Sequence, residues 1–218
     1  MSKKINVFIY ILSFCLILFT TTSYAEEKLG DTGKNEYAAF ASGCFWCTQQ
    51  DFDQIKGVIS TTVGYTGGKK INPTYEEVSA GGTGHVESLQ VIYDSSEVSY
   101  QDLLDFYWHT VDPTRNDGQF CDKGSQYRPV IFYHSENQKE LSEKYKNELI
   151  SDNRINPILV EILPAKTFYP AEDYHQNYYK KNPIRYKFYR NRCGRDNRLK
   201  EIWGTTQFSN SELVKKAS

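Results

Sequence analysis

The chain has 218 residues, 39% hydrophobic and 24% charged, which suits one globular domain with a continuous core and excludes a disordered polypeptide. Its formal net charge of −1 gives neither nucleic acid nor an anionic membrane a general electrostatic hold on it. It shows no internal repeat and no proline-rich linker.

In chain order, the N-terminus differs from the rest. Lys3 and Lys4 precede an apolar run from Ile5 to Phe19, and "TTSYA" puts Ser23 and Ala25 at the small-residue positions of a secretory cleavage site. The expectation is a signal peptide over 1–25, cleaved after Ala25, with export to the periplasm or the extracellular space. An uncleaved membrane anchor is the alternative, but the run is shorter than the ~20 residues a spanning helix needs. Cleavage removes two lysines and Cys15, leaving 24 basic side chains against 27 acidic ones and four cysteines, Cys44, Cys47, Cys121 and Cys193. Residues 26–218 then form a single catalytic domain with its core at about 36–204. Four cysteines in an exported chain ordinarily suggest two structural disulfides. A domain this large, with seventeen tyrosines, has no need of such staples, so other cysteine chemistry stays open.

"EYAAFAS" (36–42) reads as a short buried strand, and a helix begins at Ser42 or Gly43, with Phe45, Phe52 and Ile55 near helical spacing. "VISTTVGYTGG" (58–68) alternates like a strand and ends in a glycine turn. Thr74 and Glu77 form a capping box for a short helix, and "HVESLQVIYD" (85–94) alternates again. Ser99 and Asp102 cap a helix over "YQDLLDFYWHTV" that Pro113 stops. "RPVIFYHS" (128–135) is a strand, a helix runs from the Ser135–Gln138 cap to Ile150, and "ILVEILP" (158–164) is a further strand. This order predicts an α+β fold of the split βαβ, ferredoxin-like kind: a mixed sheet with helices on one face. From Ala165 onward Pro170 and Pro183 discourage long helices, so the C-terminal segment is expected to wrap irregularly over the sheet. Its basic, aromatic stretch "YYKKNPIRYKFYRNRCGR" (178–195) has the makings of a stacking platform for single-stranded nucleic acid, but an exported protein has no such partner.

"ASGCFWCTQQDF" (41–52) carries the chemistry. A Cys-x-x-Cys at the start of a helix, after a strand, looks like a redox motif, because unpaired N–H groups at the helix N-terminus stabilise a thiolate. Cys44 has that placement, while Cys47 lies one turn further in, where the field is weaker. Zinc would require close-set ligands, whereas Cys121 and Cys193 are solitary and His85 and His175 scattered, so no metal is expected. A structural Cys44–Cys47 bridge would close too short a loop to restrict many unfolded conformations.

"GCFWC" (43–47), "GYTGG" (64–68), "NPTYEEVSAGGTGHVES" (72–88), "CDKGSQYRP" (121–129), "FYPAEDYHQNYY" (168–179) and "CGRD" (193–196) together resemble the peptide methionine sulfoxide reductase A family, in the family's order and over most of the chain after residue 25. The resemblance implies thiol-dependent reduction of methionine-S-sulfoxide, free or in oxidised proteins. The epimer preference comes from the family alone. No cofactor is expected to be bound. The implied partners are oxidised proteins carrying methionine sulfoxide and a thioredoxin-like dithiol reductant, and the chain is expected to be a monomer.

Read one at a time, the residues suit that chemistry. Cys44 would attack the sulfoxide sulfur as a thiolate and emerge as a sulfenic acid. Phe45 and Trp46 would wall the S-methyl group through sulfur–aromatic contact. Glu87 lies on an apolar strand, an environment that keeps a carboxylic acid protonated. The family assigns Glu87 the role of acid toward the sulfoxide oxygen, and adds Tyr75 and Tyr127 as hydroxyl donors with Asp122 as a supporting acid. Glu172, Asp173 and His175 match a family block beside the pocket. For the resolving cysteine Cys193 is the first choice, because Arg190, Arg192 and Arg195 should depress its pKa in a flexible segment. Cys47, held in the helix, is second, and Cys121, beside Asp122, is third. Gln49 and Pro129 replace the family's usual glutamate and serine, and many members lack a cysteine at position 121. The rival readings are an exported thiol–disulfide oxidoreductase using Cys44 and Cys47, and an exported binding protein with structural disulfides.

Overall fold

The computed structural model describes residues 35–204, so the expected signal peptide, its cleavage after Ala25 and Cys15 lie outside the described residues. Four strands form the centre: β1 (Asn35–Ala41), β2 (Val58–Thr66), β3 (Val86–Asp94) and β6 (Val130–Tyr133). They lie in the order β6-β1-β3-β2, each pair antiparallel, so β3 fills the gap between β1 and β2 as a split βαβ requires. At the edges, β7 (Glu161–Pro164) joins β6 in parallel and β8 (Tyr169–Pro170) joins β2 antiparallel, which makes the six-stranded sheet mixed. A separate two-residue hairpin, β4 (Gly118–Gln119) with β5 (Asp122–Lys123), stands apart from the sheet.

Side-chain alternation sorts the two faces. Ala38 and Phe40 of β1, Val63 and Tyr65 of β2, and Leu89 and Val91 of β3 enter the main core. There they meet α1 (Phe45–Asp53) and α3 (Tyr100–Trp108), and α4 (Glu136–Asp152) adds Leu141, Tyr145 and Leu149. Phe40 stacks on Phe52 at 5.1 Å and on Tyr107 at 5.1 Å, so strand and helices share one aromatic layer. Ala39, Ala41, Val86, Val130 and Phe132 fill a smaller cluster on the opposite side.

The caps read from sequence are present. Thr74 and Glu77 exchange both capping-box bonds at α2 (Tyr75–Ser79), Ser99 and Asp102 do the same at α3, and the Ser135 hydroxyl accepts from the Gln138 N–H at α4. α3 ends before Pro113 is reached, with His109 as its C-cap.

The C-terminal segment departs from expectation: it is largely helical, with α5 (Tyr178–Lys181), α6 (Pro183–Cys193) and α7 (Arg195–Trp203). Pro183 occupies the first turn of α6, where the missing N–H costs nothing and the fixed φ favours a helical start. Gly194, with φ +72°, ends α6 and opens α7. Among the described residues no helix is long and apolar enough to cross a membrane.

Candidate active site

The site forms where β1 runs into α1. Tyr107 of α3 donates its hydroxyl to Ala41 O at 3.0 Å, pinning the end of the strand. Gly43 then turns the chain at φ +90°, where a Cβ would sit 2.7 Å from Gln119 Cβ, so the turn needs glycine. Cys44 follows as the N-cap of α1, its carbonyl accepting from Cys47 N and Thr48 N. Its side chain caps nothing and turns into a small cavity of about 90 Å³.

Cys44, Phe45, Trp46, Tyr75, Glu87, Asp122, Tyr127 and Tyr189 line that cavity. Glu87 reaches it from β3, next to Tyr65 of β2 in the ladder. The Phe45 N–H donates to Glu87 Oε2 at 3.1 Å. Burial pushes the carboxyl up to about 8, outweighing the backbone bond that lowers it, so Glu87 holds its proton at neutral pH. Tyr75 and Tyr127 hydrogen-bond to each other. Burial first, then the neighbouring Glu87, raises both phenols, Tyr75 to about 12, which keeps both as hydroxyl donors. Asp122, on the β4–β5 hairpin, is also raised by burial, and accepts from Tyr189 Oη at 2.9 and 2.7 Å.

The expectation of a resting Cys44 thiolate requires correction. Burial, the hydrogen bond to Cys47 and the nearby Glu87 and Asp122 carboxyls together raise the Cys44 thiol well above its usual value. The helix mouth does not compensate, because burial and the two carboxyls act against it. Cys47 is displaced in the opposite direction, by the Cys44 hydrogen bond first and then by Arg195 and Arg190, against the opposing effect of burial. Cys44 therefore donates to Cys47, and the two thiols face each other instead of being badly aimed.

Cys193 is disulfide-bonded to Cys121, with their Cα atoms 4.9 Å apart, and Cys44 and Cys47 are free thiols. The arginines expected to activate Cys193 point elsewhere: Arg190 bonds Asp51 at 2.7 Å and Asp196 at 2.8 Å, and Arg195 donates to Ser42 O at 2.9 Å and Thr110 O at 2.8 Å. Cys121, Asp122 and Cys193 hold three potential ligand atoms within 4.8 Å of one another, but the two sulfurs are joined to each other. The free pair is 6% and 2% exposed, which argues against disulfide exchange with a folded protein at that pair.

Several supporting residues have clear jobs. His175 Nδ1 accepts from Trp46 Nε1 at 3.0 Å, and burial lowers the His175 pKa, keeping the imidazole neutral. Glu172 accepts from Tyr65 Oη and from Tyr75 N, both at 2.8 Å, and so positions the start of α2. Asp173 lies on the exposed side of that turn, its carbonyl accepting from Lys181 Nζ at 2.7 Å. Gln49 is fully buried, bridging Thr61 and Asn177. Pro129 precedes β6, and its carbonyl accepts from Glu161 N of β7 at 3.3 Å. Trp46 stacks on Tyr178 with ring centroids 3.8 Å apart, and Tyr178, Tyr179, Tyr186 and Tyr189 of the stretch that suggested a nucleic-acid platform pack inward around the active helix, while Phe188 stays exposed. Tyr189 escaped the sequence reading, and Arg190 and Arg195 were read as neighbours of Cys193 instead of as partners of Asp51. Their only signal was the basic "RNRCGRD" run, which resembles a solvated surface until Asp51 is placed beside it.

A buried thiol facing a protonated acid and two phenols, with a second thiol beside it, on an α+β frame, suits thiol-dependent reduction of a small oxidised group. The family model described as peptide methionine sulfoxide reductase matches residues 36–207. A Staphylococcus aureus peptide methionine sulfoxide reductase, MsrA 2, is 47% identical over 171 residues, covering 78% of this chain and 96% of that protein. The Vibrio cholerae MsrA/MsrB protein is 40% identical over 207 residues; the match takes in 94% of this chain but 55% of that longer protein. Among solved structures, methionine sulfoxide reductase A of Corynebacterium diphtheriae superposes with a TM-score of 0.62 at 35% identity, over 71% of this chain and 77% of that one. Reduced Mxr1 from Saccharomyces cerevisiae gives 0.60 at 33%, over 69% and 87%. The chain belongs to the peptide methionine sulfoxide reductase A family and is an oxidoreductase.

Proposed function

We propose that the protein reduces methionine-S-sulfoxide, free or within oxidised proteins, to methionine, with Cys44 as nucleophile and Glu87 as acid. The observation that carries this reading is a buried thiol and a protonated carboxylic acid lining the same small cavity. The S-methyl group rests against Phe45 and Trp46, and the sulfoxide oxygen is received by Glu87 and the Tyr75 and Tyr127 hydroxyls. Asp122, held by Tyr189, supports the same oxygen. The preference for the S hand follows the family.

The Cys44 sulfur attacks the substrate sulfur. The substrate S–O bond then breaks, the oxygen leaves on Cys44 as a sulfenic acid carrying the Glu87 proton, and the thioether departs. Two electrons pass from the Cys44 sulfur to the substrate sulfur. Cys47, already in contact, condenses with the sulfenic acid and releases water. The Cys121–Cys193 pair, once reduced, exchanges with the Cys44–Cys47 disulfide and restores both thiols. Cys121 is exposed, which supports this outer pair as the entry point for a thioredoxin-like dithiol protein. The protein works as a monomer without a bound cofactor. The charge and apolar pattern of residues 1–25 supports export, so the reductant acts outside the cytoplasm.

The test is single-turnover reduction of a methyl sulfoxide as a function of pH. The expected rate falls above about 8 as Glu87 loses its proton, and Glu87→Gln lacks that limb. A wild-type rate that holds steady through that range would overturn the assignment of the acid.

A further inference from the structure

The two buried sulfurs, one helical turn apart, face opposite surroundings. Cys44 looks onto the carboxyls of Glu87 and Asp122 and the phenols of Tyr75, Tyr127 and Tyr189. Cys47 packs with Tyr178 of α5 and Tyr186 of α6, and the guanidinium groups of Arg190 on α6 and Arg195 on α7 act on it through space. The acid facing Cys47 from its own helix is Asp51, 2.7 Å from Arg190 and 3.7 Å from Arg195. Asp196 takes the other side of Arg190 but stands at the surface, 43% exposed. The buried carboxylate paired with these two guanidinium groups is Asp51, whereas Glu87 and Asp122, which also face Cys47 and Arg195, are pushed toward their neutral forms by burial. Arg195, 1% exposed, also keeps its Nε without a hydrogen-bond partner. A buried positive charge left unbalanced is costly, and a nearby anion removes that cost.

We infer that Cys47 supplies that anion, as a thiolate held by Arg190 and Arg195, and is the base that takes the proton from the Cys44 thiol. The inference rests on Cys44 being the nucleophile. It resolves how a thiol that burial keeps protonated becomes reactive. The Cys44 and Cys47 side chains are hydrogen-bonded, so the proton crosses one hydrogen bond and the negative charge moves to the attacking sulfur. When Glu87 then protonates the departing oxygen, the charge ends on its carboxylate, and no electron has moved except between the two sulfurs that react. Cys47, now a thiol, faces the new sulfenic acid and gives up its proton as hydroxide leaves, forming water and the Cys44–Cys47 bond. One residue thus serves first as base and then as resolving partner.

The experiment uses the full chain with Cys121–Cys193 kept oxidised, and has two readouts. At neutral pH the ultraviolet absorbance of one thiolate should persist in Cys44→Ser and vanish in Cys47→Ser. In single turnover with a methyl sulfoxide, Cys47→Ser should be about 10²- to 10⁴-fold slower at neutral pH, the usual worth of a positioned base. Its rate should climb with pH up to about 8, where Glu87 begins to lose its proton, as Cys44 ionises unaided, a climb absent from the wild type. Absorbance that disappears with Cys44→Ser and survives Cys47→Ser, or matching pH profiles for wild type and Cys47→Ser, would overturn the inference. Sulfoxide reduction by Cys44→Ser would be a different failure, removing the nucleophile assignment itself.

Discussion

The protein keeps two cysteine pairs in contrasting settings. Cys44 and Cys47 are three residues apart, buried in one helix turn, and free; Cys121 and Cys193 are 72 residues apart, partly open to solvent, and bonded. The first pair is shielded from large partners and surrounded by groups that control protons. The second lies on a short hairpin and a helix end, with few groups to control protons and ready access from outside. Chemistry on a small group wants the first setting and exchange with another protein wants the second. Asp122 links them, lining the cavity while its Oδ2 lies 3.9 Å from Cys193 Sγ.

The sharpest way to break this contrast is Cys44→Ser, which should abolish sulfoxide turnover, a loss of about 10⁴-fold or more in kcat/KM. Next is Glu87→Ala, expected to slow single turnover about 10²- to 10³-fold by stopped-flow measurement, since the acid and its hydrogen bond both go. Mass mapping after one equivalent of sulfoxide, with the outer pair oxidised, should find Cys44–Cys47 as the first new disulfide; a Cys44–Cys193 product would merge the two pairs into one pathway. Stability offers a gentler test. The folded Glu87 carboxyl titrates near 8 against 4.5 unfolded, so the unfolded state gives up its proton first and the native state loses stability as pH rises between those values. Urea unfolding should show that loss, on the order of 3 kcal/mol from pH 5 to 8, and Glu87→Gln should remove it. The smallest effect is Trp46→Phe, which deletes the bond to His175 and should raise KM a few-fold, about 1 kcal/mol, with kcat little changed.

Much of the frame was legible in the sequence because it is set by local rules. Alternation marked β2 and β3, short apolar runs marked β1 and β6, and short polar signals such as Thr74 with Glu77 marked the helix starts. The C-terminal helices escaped because their burial pattern is thin: Tyr186 is the one buried side chain of α6, and Pro183 suggests a breaker unless it is recognised as a helix start. Apart from Tyr189, the cavity residues were legible through matched motifs, whereas their ionisation was not. The helix-mouth rule favours a thiolate at Cys44, but Glu87 and Asp122 arrive from 43 and 78 residues away and reverse the balance. Arg190 and Arg195 mislead for the same reason, since Asp51, which draws them inward, lies about 140 residues earlier.

The position of β3 has one last consequence. Glu87 sits on a central strand paired along both edges, and a slip of one residue would have to break two ladders together while turning every alternate side chain to the wrong face. The carboxyl is therefore anchored by two ladders, whereas the outer disulfide joins a two-residue hairpin to a helix end, outside the sheet.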